Sequence, residues 1–337
     1  MSIISSLLSS QGDLGRELAE RMERVERMLN SVVNVDDLVV DPVTSHLAKA
    51  GGKRLRPALC LMAAELGPNS ASREVFEACL VVELTHLASL YHDDVMDEAP
   101  LRRGVESAQL VFGNSSAILA GDVLFARASS IIADLGPQAV KLHAQTFERL
   151  CSGQLHEVVG VRGSEDPIEH YIHVLADKTG SLIAASARYG VIFSGGSDEV
   201  AEAVARYGEL LGVAFQLADD VIDLVSDPEA TGKTPGTDLL EGVDTMPTLL
   251  LRTQAAAGTI DDAGKEILAL LDSGHLAEGD NLARAVALLK DHEVVAHTKE
   301  LAERLAVDAV NELDPLPAGE VKDAFNAFAF AMVHRMS

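Results

Sequence analysis

Two aspartate clusters, each at the end of a strongly apolar stretch, constrain this chain more than any other feature. Leu84 to Gly104 reads LTHLASLYHDDVMDEAPLRRG and contains Asp93, Asp94 and Asp97. Gln216 to Asp223 reads QLADDVID and contains Asp219, Asp220 and Asp223. At about 3.6 residues per turn, Asp93 and Asp97 share one helical face, and so do Asp219 and Asp223. Carboxylates are costly to bury unpaired, so a fold that accepts both clusters must bring them to cations or basic groups. Magnesium takes oxygen ligands and is commonly held by one or two carboxylates together with substrate phosphates, so facing clusters suit a diphosphate bridged by metal. Zinc would call for a histidine or thiolate set, and neither His86 nor His92 completes one by spacing.

The pattern along the chain is helical throughout. Leu14, Leu18, Met22, Val25 and Leu29 recur every three or four positions, which predicts an amphipathic helix over 14–29. A short helix ending near Lys49 is stopped by Gly51 and Gly52, and Pro57 suits the first turn of the next one. A long helix is predicted from Ser72 to Asp97, ending before Pro100, with its aspartates opposed to the helix dipole unless a cation is present. Further helices are expected over 116–135, 137–159 and 167–193, the last interrupted at Lys178-Thr179-Gly180, where a glycine marks a kink or a close approach. Another runs over 198–225. Four or five amphipathic helices follow Thr245, with Phe325, Phe328 and Met332 on one stripe that reads as core. With no strand alternation of any length, the fold class is all-α, a single large bundle of antiparallel helices forming one domain over 1–337.

Composition excludes several functions. The net charge of −25 argues against nucleic acid as a partner, because phosphate backbones need basic surface. Cys60, Cys79 and Cys151 form no CxxC pair, so a disulfide framework is not expected and the cytoplasm is the expected compartment. The opening MSIISSLLSS lacks the basic region and long apolar core of a secretory signal, and no run is read as long enough to span a membrane. The fragment Gly232-Lys233-Thr234 is not a P-loop, since Asp227 stands where the first glycine would be.

Against this acidic background the cations fall into groups able to neutralise phosphate oxygens: Lys53 and Arg56 within GKRLRP, then Arg102 and Arg103, then Lys178 and Lys233. Together with the two acidic clusters they suit two diphosphates, one held with metal and one without.

GKRLRP, HDDVMD followed by LRRG, KTG, FQLADDVID and GKTPGTDL occur in that order over about residues 40 to 250. In these motifs the chain closely resembles the trans-isoprenyl diphosphate synthases, or polyprenyl synthetases. The resemblance implies a homodimer whose bundle surrounds a deep apolar pocket, with the aspartate motifs facing across its mouth. It implies two or three Mg2+ ions per active site, bound by Asp93, Asp97 and Asp219 with Asp94, Asp220 and Asp223 in support. The allylic diphosphate would be held by Arg102, Lys178 and Lys233, and isopentenyl diphosphate by Lys53, Arg56, His86 and Arg103. Thr179, Phe215 and Gln216 would line the site. Val243 departs from the pattern, standing where many short-chain members have a second lysine.

The resemblance further implies that product length depends on the residues below Asp93. Ala88 lies about 7.5 Å from Asp93 along the helix, and both Ala88 and Ser89 are small where short-chain members often place an aromatic ring. A long-chain product is therefore expected, with Leu84 or Ile132 as deeper floors and peripheral membrane contact open to its lipophilic tail. The alternatives are a geranylgeranyl or farnesyl diphosphate synthase and the catalytic subunit of a heteromeric synthase. A terpene cyclase is disfavoured by the intact second aspartate motif, and a non-catalytic helical subunit by the retention of all five motifs.

Overall fold

The computed structural model describes residues 12–225 and 235–334. Helix makes up 76% of the structure, so the chain is all-α as expected. The longer helices, in chain order, are α1 (Gly12–Val33), α2 (Leu55–Ala64), α3 (Arg73–Met96), α4 (Asn114–Asp134), α5 (Pro137–Val159), α6 (Pro167–Leu175) and α7 (Ser181–Ser194). They continue with α8 (Asp198–Val225), α9 (Met246–Ala257), α10 (Asp262–Leu271), α11 (Asn281–Lys290), α12 (Glu293–Asn311) and α13 (Glu320–Val333). The chain forms two compact units. The first comprises Met1–Glu148, Ser181–Gly208 and Glu312–Ala327; the second comprises Arg149–Gly180, Glu209–Asn311 and Phe328–Ser337.

The first unit is built on α3. Ser72 caps it, its hydroxyl accepting the Val75 N–H at 3.2 Å, and so satisfies one of the orphan donors of the first turn. Val75, Phe76, Cys79, Leu80, Val82, Leu84, Leu87 and Tyr91 are all buried. A helix apolar on every side must be wrapped, and α2, α4 and α7 pack around it. The approach of α7 to α2 requires Gly190, because a Cβ there would lie 2.2 Å from the Cys60 carbonyl oxygen. Tyr91 ties in the short helices Val40–Thr44 and His46–Lys49, donating to the Val43 carbonyl and accepting the Leu47 N–H at 3.2 Å.

Two expectations are corrected in this unit. Leu101–Arg102 and Val105–Glu106 pair as a two-residue antiparallel hairpin, too short to show alternation in sequence. The reading that no run could span a membrane also fails for α4, which is long and apolar enough by length and composition. Asp122 and Arg127 interrupt the apolar letters and hide it. Within the unit α4 buries Ala117, Ala120, Gly121, Leu124, Ala128 and Ile132, and Arg127 donates to the Val32 and Val33 carbonyls at the end of α1.

The second unit has two apolar clusters. Leu175, Val213, Ala214, Leu217, Met246, Ala302, Ala306 and Val333 form one; Val221, Leu224, Leu239, Leu251, Ile267, Leu289, Val294 and Val295 form the other. Between α6 and α7 the helix widens into a π turn, Ala176–Gly180, at the interruption expected from Lys178-Thr179-Gly180. Glycines on two neighbouring helices admit it: a Cβ on Gly153 would lie 2.6 Å from the Lys178 nitrogen, and one on Gly212 would lie 2.5 Å from the Gly180 Cα. Among the described residues five helices follow Thr245, and Phe325, Phe328 and Met332 are buried as core residues.

Candidate functional site

In the first unit the acidic motif closes α3. Asp97 is the C-cap, its N–H donating to the Asp93 carbonyl at 2.8 Å, so the carboxylates gather where the helix carbonyls already concentrate negative charge. Asp97 is exposed and Asp93 half-buried, whereas Asp94 is turned inward and fully buried. Arg102 Nε donates to Asp94 Oδ1 at 2.5 Å, and Asp94 Oδ2 is buried with no hydrogen-bond partner. Burial raises the Asp94 carboxyl above the usual carboxylate range, and Arg102 opposes that shift. Gln109 fixes the exit from the helix by donating to the carbonyls of Asp94 at 2.8 Å and Ala99 at 2.7 Å.

A basic cluster lies in the same unit. Arg56, His86 and Arg103 come together as the sequence reading requires, and Lys53 is exposed in the adjoining turn. Arg103 donates to the carbonyls of Leu47, at 3.1 Å, and Gly51, and it lies so close over Gly52 that a Cβ there would be 2.9 Å from the guanidinium carbon. Burial pushes Arg56 down to about 10, against the pull of Glu83, and its Nε is buried without a partner. Burial also holds the His86 imidazole well below its ordinary value, and the charges of Arg56 and Arg103 deepen the shift. His86 is therefore neutral at pH 7. Among the described residues the non-glycine positions with left-handed backbone are Arg54, Glu98 and Arg103, all beside these motifs, where strain of roughly 1–3 kcal/mol apiece has to be sustained by the surroundings.

Sequence reading missed Glu83, which organises this cluster. It is buried inside α3, 2.7 Å from Arg54 Nη1 and 4.0 Å from Arg103 Nη2. Arg54 is occupied by Glu83 and by Glu26 at 2.5 Å, so it braces the cluster from within. An acidic letter inside the otherwise apolar run ACLVVELTHL is the signal that could have found Glu83. The chain-length candidates Leu84, Ala88, Ser89 and Ile132 are all buried in this unit, and Ser89 donates to the His86 carbonyl at 2.9 Å.

In the second unit the acidic motif repeats the same division of labour. Asp219 and Asp223 are half-buried, while Asp220 is buried and turned inward. The Tyr171 hydroxyl donates to Asp220 Oδ2 at 2.9 Å, and the Met246 N–H donates to the same oxygen at 3.2 Å. Burial pushes Asp220 up to about 8 despite both bonds. Tyr171 was also missed, since nothing local marks a tyrosine on α6 as a partner of α8. The loop after the motif returns to it, with the Gly236 N–H on the Asp223 carbonyl at 3.0 Å. Lys178, in the π turn, pairs with Glu157; Thr179 is buried, and Phe215 and Gln216 are half-buried on α8. Lys233 lies outside the described residues. Val243 is partly exposed.

Both acidic motifs fit a hard divalent cation. Their donors are carboxylate oxygens, and in each the inner aspartate is anchored by a neighbouring side chain while the outer ones stay nearer the surface.

Residues 38–272 match the family described as polyprenyl synthetase. The chain is 42% identical over 294 residues to a nonaprenyl diphosphate synthase of Mycobacterium tuberculosis, covering 87% of this chain and 86% of that protein. It is similar to the crystal structure of a geranylgeranyl pyrophosphate synthase from Corynebacterium glutamicum complexed with calcium and isoprenyl diphosphate, at 39% identity and a TM-score of 0.84, covering 96% of this chain and 98% of that one. A polyprenyl synthase from Caulobacter crescentus, also complexed with calcium and isoprenyl diphosphate, superposes with a TM-score of 0.87 at 29% identity, covering 99% of this chain and 98% of that one. With the motifs, the all-α fold and a family match over most of its length in agreement, the chain belongs to the polyprenyl synthetase family.

Proposed function

We propose that the protein is a prenyltransferase that condenses isopentenyl diphosphate head-to-tail with an allylic diphosphate to build a long all-trans polyprenyl diphosphate. The observation that carries this reading is the pairing, within the first unit, of an outward carboxylate set at the end of α3 with a separate basic cluster whose Arg56 Nε is buried without a partner. One set suits a diphosphate held through metal, the other a diphosphate held directly. By the family resemblance Asp93, Asp97 and Asp219 would hold Mg2+, two or three ions per active site, with Asp94, Asp220 and Asp223 in support. When bound, the ions neutralise the departing diphosphate.

The protein's own groups do the rest. Arg102, Lys178 and Lys233 bind the allylic diphosphate, and Lys178 exchanges Glu157 for phosphate oxygens when it does so. Lys53, Arg56 and Arg103 orient isopentenyl diphosphate, with neutral His86 hydrogen-bonding an oxygen of it. The allylic carbon–oxygen bond breaks with diphosphate as the leaving group, the double bond of isopentenyl diphosphate attacks the allylic cation so formed, and proton loss completes one five-carbon extension. The face of the Phe215 ring and the Gln216 amide oxygen stabilise the transient cation.

Long products are supported by the small Ala88 and Ser89 and by the relative of 42% identity, which is named for a nonaprenyl product. Exposed Leu110, Ile118 and Leu119 give the first unit an apolar surface that supports the homodimer. Buried Cys60 and Cys79 thiols support the cytoplasm as its compartment.

Replacing the outward carboxylates tests the assignment. Asp93→Ala and Asp219→Ala are each expected to lower kcat by at least about a hundredfold, the scale of losing one oriented charge-stabilising group, with the helical circular dichroism unchanged. Turnover within threefold of the unsubstituted enzyme in either variant contradicts it.

A further inference from the structure

One face of α5 meets the π turn with groups that prenyl transfer does not use. Arg149, Gly153 and His156 follow one another at helical spacing and so share that face. Arg149 Nε donates to Asp177 Oδ1 at 2.7 Å, and its other nitrogens reach Glu209 at 2.8 and 3.1 Å. Gly153 lets the helix press on the backbone of the turn at Lys178. His156, one turn further on, meets His173 with ring centroids 5.8 Å apart, and His173 Nε2 lies 3.4 Å from Asp177 Oδ2. Ligand atoms of His156, His173 and Asp177 all lie within 4.8 Å of one another.

From this geometry we infer a second metal site, distinct in chemistry from the aspartate motifs, in which His156, His173 and Asp177 bind a borderline divalent ion of the zinc class. Two imidazoles and one carboxylate are poor ligands for magnesium and good ones for zinc or cobalt. Tetrahedral bonds of about 2.0–2.1 Å put ligand atoms roughly 3.4 Å apart, so the two exposed imidazoles need only a small rotation to close on an ion. Asp177 is already oriented by Arg149, the kind of outer partner that fixes a ligating carboxylate. A water takes the fourth position.

The site ties α5 to the π turn. Glu157 follows His156 and Lys178 follows Asp177, and these two neighbours form an ion pair of their own. The metal therefore holds the turn that presents Lys178 and Thr179. Any influence on prenyl transfer rests on the function proposed above; the metal site itself does not.

Cobalt titration of the intact protein in excess Mg2+ tests it, read by visible absorption and by displacement with Zn2+. The expected result is one Co2+ per chain with the strong absorption of a tetrahedral ion. His156→Ala and His173→Ala should each weaken binding at least tenfold, since even outer-shell changes typically cost about 10–100-fold. His275→Ala, at an exposed histidine paired with Glu278, should leave binding unchanged. Both ligand histidines are exposed, and circular dichroism reports whether the variants fold. Failure to bind Co2+ stoichiometrically in excess Mg2+ overturns the inference, as does an unchanged affinity and spectrum in the His156→Ala/His173→Ala variant. Cobalt binding with the expected pattern stands whether or not the protein elongates prenyl chains, so the two readings fail separately.

Discussion

Glu83 holds three arginines in one small volume. It is buried within α3, directly paired with Arg54 and within 4.0 Å of Arg103, and its charge pulls on Arg56. Removing one partner from a buried ion pair leaves the others uncompensated, which costs about 3–5 kcal/mol. Glu83→Gln is expected to lose stability on that scale in urea denaturation; a loss below about 1 kcal/mol would show that solvent, not Glu83, balances the arginines. His86 adds a pH dependence. Its folded pKa lies below its unfolded value, so the neutral form is favoured in the native protein and its contribution is complete above about 6.5. That contribution is lost as pH falls from there towards the depressed value. The thermal midpoint should drop over this range, and His86→Gln should flatten the drop; an unaltered profile in the variant would assign it to other groups. The aspartates and arginines were legible in sequence because type and spacing mark them, and His86 only through the family resemblance. Glu83 and Tyr171 were not, because their partners are remote: Arg54 is 29 residues from Glu83, and Asp220 is 49 from Tyr171.

At the level of elements, periodicity foretold nearly every long helix, since burying one face on a core imposes the spacing. The hairpin at Leu101–Glu106 was invisible because two residues cannot alternate. The π turn could be anticipated only as an interruption, for its shape depends on Gly153 and Gly212 in other helices. α3 gives the sharpest test of how an element sets the product. Ala88 is fully buried on it, about five residues and 7.5 Å below Asp93. Ala88→Phe is expected to shift the product distribution towards fewer isoprene units, read by mass spectrometry, with primer consumption retained. An unchanged distribution in a folded variant would show that this face of α3 does not set the length.

Across the whole molecule a charge of −25 is set against two concentrated needs for cations, one at each acidic motif. The design repeats: in each unit one aspartate is turned inward and its carboxyl raised by burial, Asp94 beside Arg102 and Asp220 beneath Tyr171, while Asp93 and Asp97 or Asp219 and Asp223 stay nearer the surface. The inward residue anchors the end of its helix, which leaves Asp93, Asp97 and Asp219 for the metal role proposed above. This arrangement accounts for prenyl transfer only if the protein uses a divalent ion and two diphosphates at once. The direct measurement is to incubate the purified protein with isopentenyl diphosphate and a series of allylic primers, with Mg2+ or with a chelator, and to identify the products by mass. Stepwise addition of five-carbon units with Mg2+ and none with the chelator is the predicted result. A folded protein that elongates no primer in the presence of Mg2+ would contradict the account.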